Sequence, residues 1–188
     1  MATVGKVGQK LTLEEFLLLP DEKPYREFID GRIEVKVSPK CPHALIQGRL
    51  VITLDRFAQP MQLGLAFPEL RCTFGGRSIV GDVVFQKQEN VPRDKRGRIL
   101  DDILVAPDFL VEIRSPGQTL ARLRERIRHA LSHGCPLAWL IDPRGEWVEV
   151  HRPLLAPVRF LAGGILEGEP TLPGFRLAVS EIFDWLFL

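Results

Sequence analysis

Cysteine is scarce in this 188-residue chain, and the three that occur, Cys41, Cys72 and Cys135, stand singly. With no Cys-x-x-Cys pair and an odd total, neither a zinc ribbon nor a disulfide framework can be written, and a reducing cytoplasm is the expected compartment. Long apolar runs are missing too, so neither a signal peptide nor a membrane span is expected. Excess charge of one sign is absent: 25 Lys and Arg against 24 Asp and Glu leave a net charge of +1. A global field therefore argues neither for nor against nucleic acid, and local charge must decide. The sequence shows no internal repeats, no low-complexity tract, and no zinc-finger or helix-turn-helix signature.

The composition is that of a globular chain, 45% hydrophobic and 26% charged, at a length suited to one domain with a sizeable core. Residues 1–10 read as a flexible tail and 11–188 as a single domain. Thr12 and Glu15 make a capping-box pattern ahead of a short helix. Glu27 to Val37 alternates about Asp30-Gly31, a hairpin signature. Ser38 to Pro42 reads as a loop and His43 to Phe57 as a helix stopped by Pro60. Strand-like pieces follow at Leu63–Phe67, Glu69–Phe74 and Ser78–Gln86, with Gly75-Gly76 turning between the last two. Residues 87–102 are charged and apolar-poor, and read as a mobile loop, either overhanging a site or forming a plain solvated excursion. Beyond the strand at Phe109–Ile113, the sequence predicts a helix carrying Leu120, Leu123, Ile127, Ala130 and Leu131. Strands at Pro136–Asp142 and Glu146–His151 and a closing helix at Ser180–Leu186 complete the pattern.

Two of these strands place an acid among apolar neighbours, where burial is costly without a partner. One is Gly81-Asp82-Val83-Val84-Phe85; the other is Phe109-Leu110-Val111-Glu112-Ile113-Arg114. Paired, they would bring Asp82 and Glu112 together as a hard-cation site suited to Mg²⁺ or Mn²⁺. The helix that follows adds cations. At about 100° per residue, Arg122, Arg126, His129 and His133 share a sector, and Arg126 borders the apolar stripe. Such a face can track a phosphate backbone or simply be solvated. The remaining polar residues have plainer readings. Asp108 and Asp142 sit at turns, His129 and His133 lack a third metal ligand, and Trp139 and Trp147 are core or sheet-surface aromatics.

Asp82 with Glu112-Ile113-Arg114 resembles the D…ExK core of the PD-(D/E)XK nucleases, the restriction-endonuclease-like superfamily. The chain is more closely similar to a bacterial family of restriction-endonuclease-like proteins. The similar landmarks are Glu27-Phe28-Ile29-Asp30-Gly31, Ser38-Pro39 with His43, Gly81 to Phe85, Ala106-Pro107-Asp108 through Glu112 to Ser115-Pro116, and Gly134 through Trp139 to Pro143. The resemblance implies an α/β (α+β) fold, a mixed β-sheet flanked by helices with an N-terminal β-hairpin. It also implies metal-dependent cleavage of DNA, with Glu27 and His43 approaching the site. Gly81 stands where the family usually has proline, Arg114 and Arg126 stand where lysine is expected, and Ala130 replaces a frequent tyrosine. Arginine cannot act as a base but can clamp a phosphate in a bidentate way.

Two readings result. In one, the chain is a DNA endonuclease whose Asp82 and Glu112 bind Mg²⁺ while Arg114, Arg122 or Arg126 holds the phosphate. In the other, it is a nuclease-derived module that binds DNA or a protein without turnover. By analogy, cutting both strands of a duplex favours a two-fold homodimer.

Overall fold

The computed structural model describes residues 11–188, so the expected tail at residues 1–10 lies outside the described residues. Helix α1 (Leu13–Leu17) carries the capping box between Thr12 and Glu15. Strands β1 (Arg26–Ile29) and β2 (Arg32–Val35) form the hairpin, and both residues of its Asp30-Gly31 turn have positive φ. Helix α2 (Cys41–Ala58) starts two residues before the reading at His43, because Pro42 falls in the first turn, where its missing N–H costs nothing.

The two strand pieces expected over 63–74 are a single strand, β3 (Gly64–Phe74), which antiparallel pairing with β4 (Arg77–Lys87) holds together. The ladder skips one position between them, Glu69 against Asp82, where Glu69 adopts φ 48°. The loop expected after β4 is exposed over residues 93–102 but tied to the fold at both ends. It opens with a 3₁₀ turn at Gln88–Asn90 and buries Val91 and Ile103. It then bridges Arg93 to Ile99 and Cys72 to Ile103, which lays it along β3. Then come β5 (Phe109–Ile113), α3 (Leu120–Ser132), β6 (Ala138–Asp142), β7 (Trp147–His151), β8 (Val158–Phe160), β9 (Ile165–Glu167), β10 (Arg176–Ala178) and α4 (Val179–Asp184).

Eight strands make one mixed sheet in the order β2-β1-β4-β5-β6-β7-β8, with β3 also on β4, while β9 and β10 pair separately. The β5–β6 pair is parallel and is connected through α3, and every residue of both strands is buried. That matches a parallel pair covered on both faces. One face packs Phe109, Val111 and Ile113 with Ile46, Leu50 and Leu54 of α2 and Ile182 of α4. The other packs Val84, Leu110 and Leu140 with Leu123, Ile127 and Ala130 of α3.

The site is positioned by the unequal lengths of the strands. Strand β3 covers one edge of β4 almost throughout. The other edge is shared: β1 meets it only at Ser78, and β5 only at Val83–Phe85. Residues 79–82 of β4 therefore face a gap in the sheet, and backbone groups there need partners other than a neighbouring strand.

Candidate active site in a gap of the sheet

Side chains fill the gap. The Val80 N–H donates to Glu27 Oε1 at 2.6 Å, and the Val80 carbonyl accepts from Lys36 Nζ at 2.6 Å and from the Arg126 guanidinium at 3.1 Å. The Asp82 carbonyl accepts from Gln47 of α2 at 2.7 Å. The β4–β5 ladder stops at Val83 and Val111, one step short of Asp82 and Glu112. Instead Asp82 Oδ2 accepts the Ile113 N–H at 2.7 Å. The two acids thus stand side by side on the α3 face, both almost fully buried.

Each carboxylate has its own set of cations. Asp82 Oδ1 accepts from Lys36 Nζ at 2.6 Å, and His43 Nε2 lies 3.4 Å away. The other His43 nitrogen, Nδ1, is hydrogen-bonded to Ser115 Oγ at 2.9 Å, which fixes the ring. Arg126, itself 5% exposed, donates to Glu112 Oε1 through Nε at 3.1 Å and through its terminal nitrogen at 3.0 Å, and to Glu27 Oε2 at 2.6 Å. Three buried carboxylates and two fixed cations leave a formal charge of −1 before His43 is counted.

Burial works against ionising Glu27, but Arg126 and Lys36 outweigh it and hold the carboxyl below its usual range. Asp82 is likewise driven low, burial being overcome by Lys36 and then by His43. Glu112 goes the other way. Burial raises it, Arg126 only partly offsets this, and the neighbouring Asp82 charge adds to the rise. The Asp82 and Glu112 pair therefore resists carrying two negative charges at once.

A hard divalent ion fits that arrangement. Glu112 Oε2 has no hydrogen-bond partner among the described residues, and Glu112 lines a cleft of about 160 Å³ together with Glu27, Lys36, Arg122 and Arg126. Among the described residues no three His, Cys, Asp or Glu side chains group as a metal site. Mg²⁺ does not need such a cage, since it is commonly held by one or two carboxylates with waters and substrate phosphate completing the shell.

Not all the sequence candidates meet here. Asp82, Glu112, Arg126, Glu27 and His43 converge. Arg122 lies at the cleft rim and pairs with Glu34 of the hairpin. Arg114 is drawn away: the strand ends at Ile113, and the guanidinium pairs with Asp142 at 2.6 Å. Asp142 also accepts from the backbone of Arg144 and Gly145, as a turn residue does, whereas Asp108 reaches across to Lys87 N and Asn90 and ties down the end of β4. His129 stacks on Phe74 at the far end of α3, with His133 tilted against both rings. Lys36, Gln47 and Ser115 are additions from the structure. Lys36 had only a weak signal, a polar position in an alternating hairpin, which usually faces water.

A mixed sheet flanked by helices, opened at its centre around two acids on neighbouring strands, is a restriction-endonuclease-like α/β fold. The chain belongs to the Uma2 family, described as "Putative restriction endonuclease", whose model matches residues 13–180. It is also similar to a solved structure described as a "putative nuclease belonging to DUF820" from Anabaena variabilis, with 35% identity over 94% of this chain and 99% of that one and a TM-score of 0.91. No curated protein matches the chain. The family and the structural neighbour together support a nuclease function. No described helix is long and apolar enough to cross a membrane.

Proposed function

We propose that the chain is a Mg²⁺- or Mn²⁺-dependent endodeoxyribonuclease, and that the gap between β1, β4 and β5 is its active site. The observation that carries this reading is the adjacent pair Asp82 and Glu112, buried together with an unpartnered Glu112 oxygen at the cleft. Asp82 and Glu112 would hold the ion. When bound, the ion lowers the pKa of a coordinated water and polarises the phosphodiester. Water adds to phosphorus, one P–O ester bond breaks, and the leaving oxygen takes up a proton. Arg126 positions Glu112 and is itself positioned by Glu27, so Glu27 and Arg126 act through another residue rather than on the substrate. Arg122, half exposed at the rim, is placed to meet a neighbouring phosphate if it leaves Glu34. Arg114 supports the fold beside the site through Asp142. A two-fold homodimer would bring two clefts to one duplex.

The second reading, a DNA- or protein-binding module without turnover, is favoured by one observation: arginine at both expected lysine positions, with Arg126 fully engaged. The two are separated by cleavage of plasmid and single-stranded DNA with Mg²⁺ or Mn²⁺, beside Glu112→Gln purified identically. Cutting by the wild type alone establishes the nuclease. Equal cutting by both assigns the activity to a contaminant or removes Glu112 from the site. Cutting by neither leaves the binding module.

A further inference from the structure

We propose that Lys36 is the cation that engages the scissile phosphate. The proposal rests on the nuclease reading of the cleft and supplies the lysine missing from positions 114 and 126. Lys36 follows β2 directly, and its backbone N–H donates to the Tyr25 carbonyl at 2.7 Å, so the hairpin fixes where its stem begins. The side chain runs inward to 10% exposure and ends at Asp82 Oδ1 and the Val80 carbonyl, both 2.6 Å from Nζ. An ammonium has three N–H donors, so one remains for a ligand. Lys36 lines the cleft with Glu112, Arg122 and Arg126.

The other cations cannot do this work as placed. Arg126 is held by Glu112, Glu27 and the Val80 carbonyl, and releasing it would strip two buried carboxylates at once. Arg114 is on Asp142, and Arg122 stands at the rim. A lysine is a compact charge on a flexible four-carbon stem and can turn from one oxygen to another without losing its anchor. When Lys36 turns to a phosphate, Asp82 keeps the Ile113 N–H and has His43 beside it. Arginine at the two expected positions thus leaves the lysine function with a residue 78 positions before Arg114 in the chain (114 − 36), brought to the same place by the hairpin.

The test compares wild type, Lys36→Gln and Lys36→Arg, with folding checked by near-ultraviolet circular dichroism. The first readout is the salt dependence of binding to a short duplex in Ca²⁺, in which no cleavage is scored. Loss of one phosphate contact lowers the slope of log K against log salt by about 0.9. Lys36→Gln should show that drop, and Lys36→Arg should not. The second readout is kcat with saturating DNA and Mg²⁺, expected to fall about a hundredfold in Lys36→Gln, as for loss of one preorganised charge-stabilising donor, with partial recovery in Lys36→Arg. An unchanged slope, or an unchanged kcat in an enzyme that Glu112→Gln inactivates, overturns the role of Lys36 and leaves the nuclease reading standing. A melting shift with an intact slope overturns it too, because that is the signature of a structural lysine. If the wild type binds DNA without cutting, the nuclease reading fails and the slope alone decides Lys36. If it binds no DNA, both fail.

Discussion

Arg126 shows how one side chain can organise a site. Its guanidinium spans Glu27 on the hairpin, Glu112 on β5 and the Val80 carbonyl on β4, joining three strands that do not fully pair. Arg126→Ala would leave two buried carboxylates uncompensated, and removing one partner of a buried ion pair costs about 3–5 kcal/mol. Urea unfolding should show that loss. Arg126→Lys should fall between the two, because a point charge keeps the sign but cannot span Glu27 and Glu112 together. The neighbouring question is metal. Glu112 is raised by burial and by Asp82, and in the proposed function a divalent ion would supply counter-charge there. Mg²⁺ binding should therefore raise the melting temperature of the wild type, equivalent to about 2.7 kcal/mol at a hundred times its Kd, and should not do so in Asp82→Asn. No stabilisation of the wild type would remove Asp82 and Glu112 as a metal pair.

At the scale of elements, the β1–β2 hairpin is the delivery device. It supplies Glu27 from one strand and Lys36 from just beyond the other, yet its strand pairing with β4 is confined to Ser78. Its geometry depends on a two-residue turn in which Asp30 has φ 50° and Gly31 φ 79°. A β-branched residue is poorly tolerated there, and Gly31→Val should cost about 1–2 kcal/mol. DNA cleavage should fall along with stability although no site side chain has changed. Full activity in a destabilised Gly31→Val would show that hairpin geometry does not matter to the site. Helix α3 plays the complementary part: Leu123, Ile127 and Ala130 bury it on the sheet, and this packing carries Arg126 into the gap.

Across the whole molecule, ion pairs recur where α3 and the sheet edge meet away from the cleft. Glu149 of β7 is buried and takes Arg124 at 2.6 Å and Arg159 at 2.7 Å, with Arg159 stacked over Trp147. Burial opposes its ionisation, but the hydrogen bonds from Arg124 and Arg159 prevail and bring the carboxyl down from 4.5 to about 2. A depressed carboxyl stabilises the fold fully above its unfolded pKa and loses that contribution as pH falls through the folded value. Thermal stability should thus decline between pH 4.5 and about 2, and Glu149→Gln should flatten that limb while lowering stability at neutral pH. An acid limb identical in wild type and Glu149→Gln would assign the decline to other groups.

The sequence by itself determined most of the elements up to β7 and marked the two acids as candidates. Periodicity and turn chemistry are local: Thr12 and Glu15 cap α1, Asp30-Gly31 turns the hairpin, and Leu123 and Ile127 mark the buried face of α3. Asp82 and Glu112 stood out because a charge in an apolar strand conflicts with its surroundings, and such conflicts are visible without coordinates. The tertiary structure decided which candidate cation meets them, Arg126 and not Arg114, and added Lys36. Arg114 lies two residues from Glu112 yet turns to Asp142, whereas Lys36 reaches Asp82 from 46 residues away. The physical reason lies in strand lengths and register: β1 and β5 each stop short on β4, and the gap they leave selects its partners by proximity and charge. In the segment after β4, Val91 and Ile103 found burial in the fold that a polar composition did not announce, while Ile99 and Leu100 stay exposed.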